Sequence, residues 1–274
     1  MPRVNTFLSD RSVVSVVNQN CAEALKLCGP AILGVKDLEK QMVIIIAALL
    51  TRCHPCQQDF GDEADVDVEG GTSEYDWLVI DTTLDVIIGM SAALGENFGN
   101  HWMIFIKPII KLASSQEDVE RSTSTGTMAE VIKYLGSAVT PFTDALSKIL
   151  MKRLRDTDDL TKSNAAFAIG QLIFSSQDQQ VLRLYEDVVV ALEPALDTTG
   201  STMQDNVAGC FARMMMKNPD VAVVAKLLPL VVSVLPLKQD VEENPPIFQC
   251  LYKLCKSTRT RFCSHACFLV EFLF

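Results

Sequence analysis

The chain has 274 residues, of which 49% are hydrophobic and 21% are charged. It is therefore too apolar for a disordered protein and long enough to bury a sizeable core in one or two domains or one elongated array. Its net charge of −10 repels a nucleic-acid backbone and attracts basic proteins, so we expect no direct nucleic-acid partner.

The first part of the chain indicates a protein of the cytosol or nucleus. The opening residues, MPRVNTFLSD, lack the apolar segment of a secretory signal. The longest purely apolar run, Met42–Leu50, is shorter than the roughly 20 residues that cross a bilayer, so we expect no membrane partner. The nine cysteines are scattered within apolar runs, which is typical of buried thiols in a reducing compartment.

The motif CHPC, Cys53–Cys56, has the spacing of a redox site or of half a zinc site. A thioredoxin-like site needs a βαβ context, and zinc needs a second ligand pair, which the distant CSHAC motif at Cys263–Cys267 supplies only on paper. We interpret these cysteines as incidental and predict no metal and no cofactor. None of the three histidines stands in a catalytic motif, and there is no phosphate-binding glycine loop, so we predict that the chain is not an enzyme.

An acidic segment follows at once. Between Arg52 and Lys107 there is no lysine or arginine, and there are eleven aspartates and glutamates, so the rest of the chain is close to neutral. Most of this charge lies in a predicted loop, residues 59–76, which we expect to be flexible. Asp81 and Asp85 continue the acidity into the next helix, where their spacing places them on one face. A solvated loop without function is the alternative interpretation.

From residue 81 onward the sequence repeats itself about every 41 residues. The segments DTTLDVIIGMSAALG, STSTGTMAEVIKYLG, KSNAAFAIGQLIF and QDNVAGCFARMMM align, and their equivalent positions are 81, 122, 164, 206 and 244. Each unit has two apolar segments at helical spacing, and we expect Asp118, Asp159 and Asp205 to open or cap the second helices. Small residues in these helices, such as Gly170 and Gly209, permit close helix contact.

This pattern predicts an all-α protein, an α-solenoid of about five HEAT-type helix pairs in a right-handed superhelical array. A three-helix bundle or a cyclin-like box does not predict five equivalents at nearly constant spacing. We expect the solenoid to span residues 1–256, with the acidic loop inserted. We expect residues 257–274 to be an atypical aromatic and cysteine-rich tail, non-native or disordered, that packs poorly.

Three stretches resemble the importin-β (karyopherin-β) nuclear transport receptors, and within them the importin-four branch. They are QDNVAGCFARMMMKNPD, LLPLVVSVLPLKQDVEENPPIFQCLYKL, and the acidic insertion before YDWLVIDTTLDVIIGMSAALGENF. The resemblance covers most of the chain and implies the C-terminal HEAT repeats of such a receptor. It also implies basic cargo proteins, such as histones or ribosomal proteins, and shuttling between cytoplasm and nucleus. Partners such as Ran-GTP and nucleoporins are expected only for a full-length receptor.

The resemblance further implies that the second helix of each pair lines the concave cargo-facing side. A HEAT scaffold that binds folded partners and has no transport role is the alternative. We predict a cargo-binding set formed by the acidic loop and by the polar positions of the second helices: Asp62, Glu63, Asp65, Asp67, Glu69, Glu74, Asp76, Trp77, Asp81, Asp85, Glu120, Asn164, Asp205, Asn206, Glu243 and Asn244.

Overall fold

Apolar residues at helical spacing, separated by turns rich in Gly, Pro, Asp and Ser, fold into a series of helices. A computed structural model describes residues 11–34, 37–57, 74–197 and 201–258, and within these ranges there is no β-strand. Most of the predicted acidic loop and the tail from residue 259 lie outside the described residues. The last three positions assigned to that loop, residues 74–76, are already helical.

The helices fall into two compact units that divide after Val139. The first unit contains α1 (Arg11–Cys28), a short helical turn (Pro30–Leu33), α2 (Leu38–Leu50), α3 (Glu74–Leu94), α4 (Gly99–Leu112) and α5 (Asp118–Leu135). The second unit contains α6 (Thr143–Arg153), α7 (Asp159–Ser175), α8 (Tyr185–Leu192), α9 (Thr202–Lys217), α10 (Val221–Ser233) and α11 (Asn244–Thr258).

In the first unit, α3 lies between α1 and α5. Helix α2 packs against α3, helix α4 packs against α5, and α2 and α4 pack against each other. The core is fully buried and includes Ile87 of α3, Trp102 of α4 and Ile132 of α5. Rings of Phe98 and Phe105 stack with centroids 6.1 Å apart and fill the space beneath α4. The first unit is thus a row of second helices backed by a row of first helices.

The second unit repeats this arrangement. Helix α9 lies between α7 and α11, and α6 and α10 pack against α7 and α9. Every residue of α9 from Gln204 to Met215 is buried. The five positions aligned from the sequence, 81, 122, 164, 206 and 244, fall on α3, α5, α7, α9 and α11, which are the second helices of successive pairs. The predicted repeat is confirmed, and the chain is an all-α solenoid of HEAT-type helix pairs.

Glycines allow the second helices to approach closely. A Cβ atom at Gly89 of α3 would lie 2.9 Å from the carbonyl oxygen of Ala22 in α1. At Gly170 of α7, two repeats later, it would lie 2.8 Å from the Cα atom of Cys210 in α9. Real Cβ atoms are not found so close to backbone atoms, so the spacing of these helices depends on glycine having no side chain at both positions.

Asp118 and Asp159 are the first residues of α5 and α7, as predicted, whereas Asp205 lies inside the first turn of α9. Asp158 caps α7, because its carboxylate accepts the backbone N–H of Thr161 at 2.7 Å. Ser201 caps α9 by accepting the N–H of Gln204 at 3.1 Å. The side chain of Asp205 therefore does not cap α9 and instead accepts backbone N–H groups of the turn before α11. Capping sites fall in runs of polar residues, where the sequence does not fix the first helical residue.

One helical stretch, Asp76–Leu112, is long and apolar enough to cross a membrane by length and composition alone. Charged residues such as Asp85 and Glu96 interrupt it, so it is not a purely apolar run of the sequence. The stretch consists of α3 and α4 separated by Gly95, whose φ of 56° breaks the helix. Because 61% of its apolar window is buried inside the protein, the stretch is typical of core helices.

The substitution Gly89→Ala is expected to lower the free energy of unfolding by about 1–3 kcal/mol, because the added methyl group meets a backbone carbonyl that cannot move alone. The matched control is Gly99→Ala in the same unit, where a Cβ would lie 3.6 Å from that of Ala138, an ordinary contact. Urea denaturation of both variants measures the difference. Equal stability of the two variants would show that the spacing of α1 and α3 is not set by Gly89.

Candidate protein-binding site

Helix α3 has a narrow accessible face that carries acidic residues. Between Val79 and Ala93, the only residues that are not buried are Asp81, Asp85, Ile88 and Ala92, and their spacing places them in one row along the helix. Trp77, one turn before Asp81, is also half-buried. We call Trp77, Asp81 and Asp85 the α3 strip. Asp76 lies beside it, half-buried at the start of the same helix.

The two carboxylates of the α3 strip are poorly compensated. Burial raises the pKa of Asp81, and the neighbouring Asp85 raises it further. Burial also raises the pKa of Asp85, with Lys26 of α1 opposing the shift and Glu23 adding to it. Lys26 already forms an ion pair with Glu23 at 3.3 Å. With the residues that the structure describes, neither aspartate forms a hydrogen bond or an ion pair within 4 Å. The strip is therefore suited to accept a cation.

The support beneath the α3 strip is rigid. The side-chain amide of Asn18 in α1 donates to the hydroxyl oxygens of Thr82 at 3.3 Å and Thr83 at 3.1 Å. Both threonines are buried and lie between Asp81 and Asp85 in the sequence of α3. Together with the close contact at Gly89, these bonds fix the rotation of α3, so the two carboxylates face outward in a defined geometry.

Glu120 has a structural position in the first unit. Its side chain is largely buried and lies 3.6 Å from the guanidinium of Arg52, in the turn after α2. Arg52 adopts a φ of 58°, a conformation that side chains rarely take. The ion pair therefore connects this turn, from which the acidic segment leaves, to α5.

Asp205 and Glu243 hold the turn between α10 and α11 in the second unit. Asp205 is 1% exposed, and its Oδ2 accepts the backbone N–H groups of Lys238, Gln239 and Asp240 at 3.2, 2.7 and 2.8 Å. Glu243 is 2% exposed and accepts two hydrogen bonds from Arg213 of α9. The fairly specific stretch LPLKQDVEEN is thus fixed to α9 at two points.

The partners of Glu243 were not identified from the sequence. Arg213 stacks on the ring of Phe167 at 5.1 Å, and a Cβ at Gly209 would lie 1.4 Å from a carboxylate oxygen of Glu243. The carboxylate therefore occupies the space that a side chain at position 209 would need. The available signal was an arginine inside the apolar run Val207–Met216, because such a charge is buried only when it is paired.

The remaining predicted residues are divided between buried and accessible positions. Asn206 is buried and donates to Ser163 Oγ at 3.0 Å. Asn164 and Asn244 are half-buried. Glu74 is the first residue of α3. Five members of the predicted set lie outside the described residues: Asp62, Glu63, Asp65, Asp67 and Glu69. Cargo binding by the set stays a prediction, and the structure gives Glu120, Asp205, Asn206 and Glu243 intramolecular partners.

The substitution Asp205→Ala is expected to lower the free energy of unfolding by about 2–3 kcal/mol, because it removes a charged acceptor shared by three backbone donors. The control is Asp220→Ala at the exposed N-cap of α10, where one bond of 2.9 Å to the N–H of Ala222 is lost and the cost is about 1 kcal/mol or less. Chemical denaturation compares them. An equal cost for the two variants would contradict the structural role of Asp205.

The substitution Asp81→Asn is expected to raise the melting temperature at pH 7. Because the folded-state pKa of Asp81 is raised above its ordinary 3.8, the ionised form is less favourable in the folded than in the unfolded protein. As the pH falls through the raised pKa, the folded wild type takes up the proton first and becomes more stable. The gain should therefore shrink as the pH falls through the raised pKa and be much smaller at pH 4, disappearing only below the ordinary 3.8. Thermal unfolding between pH 7 and pH 4 measures it.

The control for this experiment is Asp144→Asn, because Asp144 is exposed and forms an ion pair with Lys148 at 2.7 Å. That variant should show no gain at pH 7. If Asp81→Asn behaves like the control, or if its gain grows on acidification, the carboxylate of Asp81 is not held at an electrostatic cost.

Comparison with known proteins agrees with this architecture. Residues 84–221 match the family model described as IPO5-like, TPR repeats, which covers half of the chain from α3 to the start of α10. A crystal structure of an engineered protein superposes with a TM-score of 0.57 at 14% identity, covering 91% of this chain and 96% of the other, which concerns the fold alone.

Curated relatives point the same way. The chain is 34% identical over 199 residues to the probable importin subunit beta-4 of Schizosaccharomyces pombe, covering 72% of this chain and 18% of that protein. It is 27% identical over 237 residues to importin-4 of Homo sapiens, covering 85% of this chain and 22% of that protein. The chain thus spans about a fifth of the length of these relatives. With half of its residues matched by the family model, the chain belongs to the importin-β family as a region of its helical repeats.

Proposed function

We propose that this chain is a cargo-binding part of a nuclear import receptor, and that the α3 strip binds lysine- and arginine-rich segments of basic proteins. One observation carries the proposal: Asp81 and Asp85 lie one turn apart on a rigid helix, half-buried, and Lys26, the cation that acts on Asp85, is itself paired with Glu23. The importin names of the relatives supply the transport context.

A basic side chain would relieve the electrostatic cost of the α3 strip. Carboxylates four residues apart on a helix are about 5–6 Å from each other, so one ammonium or guanidinium group can contact both. An exposed ion pair contributes about 0–1 kcal/mol, and partial burial increases the effect because solvent screening is weaker. Trp77 offers a ring face on which an adjacent cation can stack. Recognition is non-catalytic throughout.

The acidic segment before α3 is proposed to act at longer range. The eight acidic residues between Asp59 and Trp77 create a negative field beside the strip. Such a field accelerates the encounter with a basic chain and orients it, although each single pair contributes little. The segment and the strip would then act in sequence, the first on association and the second on dissociation.

Histones and ribosomal proteins are proposed as cargo because they present such basic segments. Ran-GTP and nucleoporins are proposed as partners of the full-length receptor, with shuttling between cytoplasm and nucleus. The buried residues Asp205, Asn206 and Glu243 would contribute by fixing the shape of the second unit rather than by contacting cargo.

A second candidate is a scaffold that binds folded partners without a transport role. It is favoured by apolar side chains on the two adjoining first helices of the first unit. Ile44 of α2 is 69% exposed and Met103 of α4 is 65% exposed, and each has an exposed isoleucine beside it, Ile45 and Ile104. Binding at such a face would depend on apolar contact and would be insensitive to salt.

The double substitution Asp81→Asn with Asp85→Asn is expected to weaken binding of a histone-tail or ribosomal-protein peptide about tenfold in 0.1 M salt, mainly through faster dissociation. The wild-type affinity should fall steeply toward 1 M salt, where the Debye length is about 3 Å. Surface plasmon resonance at both salt concentrations measures the rates.

The matched control removes the same charge from exposed positions on the first helices α6 and α8, by Asp144→Asn with Asp187→Asn, and should leave affinity within about twofold. Replacing Asp62, Glu63, Asp65, Asp67 and Glu69 by Asn or Gln should mainly slow association. Salt-insensitive binding, or an equal effect of the strip and control variants, would favour the scaffold function instead.

A further inference from the structure

The turn after α2 contains two thiols and an imidazole that the proposed function does not use. Cys53 is exposed, whereas Cys56, three residues later in the 3₁₀ turn Pro55–Gln57, is 4% exposed. Neither cysteine is in a disulfide. Among the described residues, no group of three or more His, Cys, Asp or Glu side chains is arranged to hold a metal ion.

The backbone of this turn is folded tightly. The N–H of Cys53 donates to the carbonyl of Ala48 at 2.8 Å, and the N–H of Gln57 donates to the carbonyl of His54 at 2.9 Å. The hydrogen-bonded turn spans His54–Gln57, so Cys53 lies one residue before it, and its Sγ donates to the carbonyl of Thr51 at 3.5 Å. Disulfide formation requires Cys53 to leave this bond and turn toward Cys56, three residues later, until the two Cα atoms lie roughly 4.4–6.8 Å apart.

His54 is placed to accept a proton from Cys56. Its Nδ1 lies 3.0 Å from Cys56 Sγ, and the same nitrogen accepts the backbone N–H of Cys56 at 3.3 Å. Nδ1 therefore carries a lone pair, with the ring proton on the other nitrogen. Burial lowers the pKa of His54, so the imidazole is neutral at pH 7 and can accept a proton. This is the arrangement of a thiol beside a general base.

We propose that Cys53 and Cys56 form an oxidation site, in which a peroxide converts the pair into an intramolecular disulfide and His54 accepts the proton of the buried thiol. The sulfur of exposed Cys53 attacks one peroxide oxygen, the O–O bond breaks, and a sulfenic acid and water form. Cys56 then transfers its proton to His54 Nδ1 and attacks the Cys53 sulfur. The S–O bond breaks, and hydroxide leaves as a second water after protonation. Two thiols and one hydrogen peroxide thus give one disulfide and two waters.

Oxidation at this site would reach the packing of three helices. Cys56 belongs to a buried cluster with Val14 of α1, Leu49 of α2 and Val79 of α3. Gln57 holds the turn by donating to the carbonyl of Leu49 at 3.1 Å. A bond to the exposed Cys53 draws Cys56 away from this cluster at the point where the chain enters the acidic segment. The site is independent of whether that segment binds cargo.

Buried thiols elsewhere supply internal controls. Burial raises the pKa of Cys210 to about 12 and that of Cys250 to about 11, so both remain protonated and slow to oxidise. They should stay unmodified under conditions that oxidise the Cys53–Cys56 pair.

The test treats the full chain with hydrogen peroxide, blocks residual thiols with an alkylating agent, and maps tryptic peptides by mass spectrometry. Cleavage after Arg52 and Lys111 yields residues 53–111, because Lys107 precedes proline, and this peptide contains no other cysteine. We expect a loss of about 2 Da and no alkylation of this peptide, both reversed by a reducing thiol. We expect His54→Leu to slow disulfide formation about tenfold while Cys53 still reacts.

With Cys56→Ser, Cys53 should accumulate as sulfenic or sulfinic acid. The proposal is overturned if the wild-type peptide gains oxygen without losing both thiols, if Cys53 pairs with a cysteine of another peptide, or if His54→Leu forms the disulfide at the wild-type rate.

Discussion

The close approach of consecutive second helices is the constraint on which the rest of the structure depends. In the first unit Gly89 lets α3 contact the backbone of α1, and in the second unit Gly170 lets α7 contact the backbone of α9. Helices at this spacing leave little side-chain surface accessible, which is why a single row of residues reaches solvent between Val79 and Ala93 of α3 and why α9 is buried along most of its length. Whether a polar side chain on these helices is buried or accessible therefore depends on whether it faces a neighbouring helix or the opposite side.

Polar residues on the second helices meet this constraint in two different ways. In the second unit, two buried carboxylates have strong partners: Glu243 faces Arg213, and one oxygen of Asp205 accepts three backbone N–H groups. Leaving such groups unpaired would cost several kcal/mol, so their carboxylates are committed to holding the turn before α11. In the first unit, Asp81 and Asp85 are only half-buried, and Lys26, the nearest opposing charge, is shared with Glu23. Similar residue types on equivalent helices therefore serve stability in one unit and remain available in the other.

The fold could be predicted from the sequence because periodicity is a property along the chain. Positions 81, 122, 164, 206 and 244 fall on successive second helices as expected. The site was predicted less completely, because burial depends on residues far away in the sequence. Nothing local to Glu243 reveals that Gly209 leaves space for its carboxylate or that Arg213, 30 residues earlier, binds it. The shared face of Asp81 and Asp85 could be predicted because their relation is local, four residues apart on one helix. Ser201 caps α9 in place of Asp205, because within a run of polar residues the sequence does not determine which residue begins the helix.

The electrostatic state of the α3 strip connects stability with binding. Since burial and like charge raise the pKa of both aspartates, the free protein carries an unfavourable term that a bound cation would remove. A cation at the strip would in turn lower both pKa values, so binding and proton release are linked, and affinity for a basic segment should fall as the pH approaches the raised pKa values. At neutral pH both aspartates of the strip are ionised, and the unfavourable electrostatic energy in the free protein is then greatest. Because α3 is held rigidly, this unfavourable electrostatic energy persists in the free protein, and a bound basic partner would relieve it.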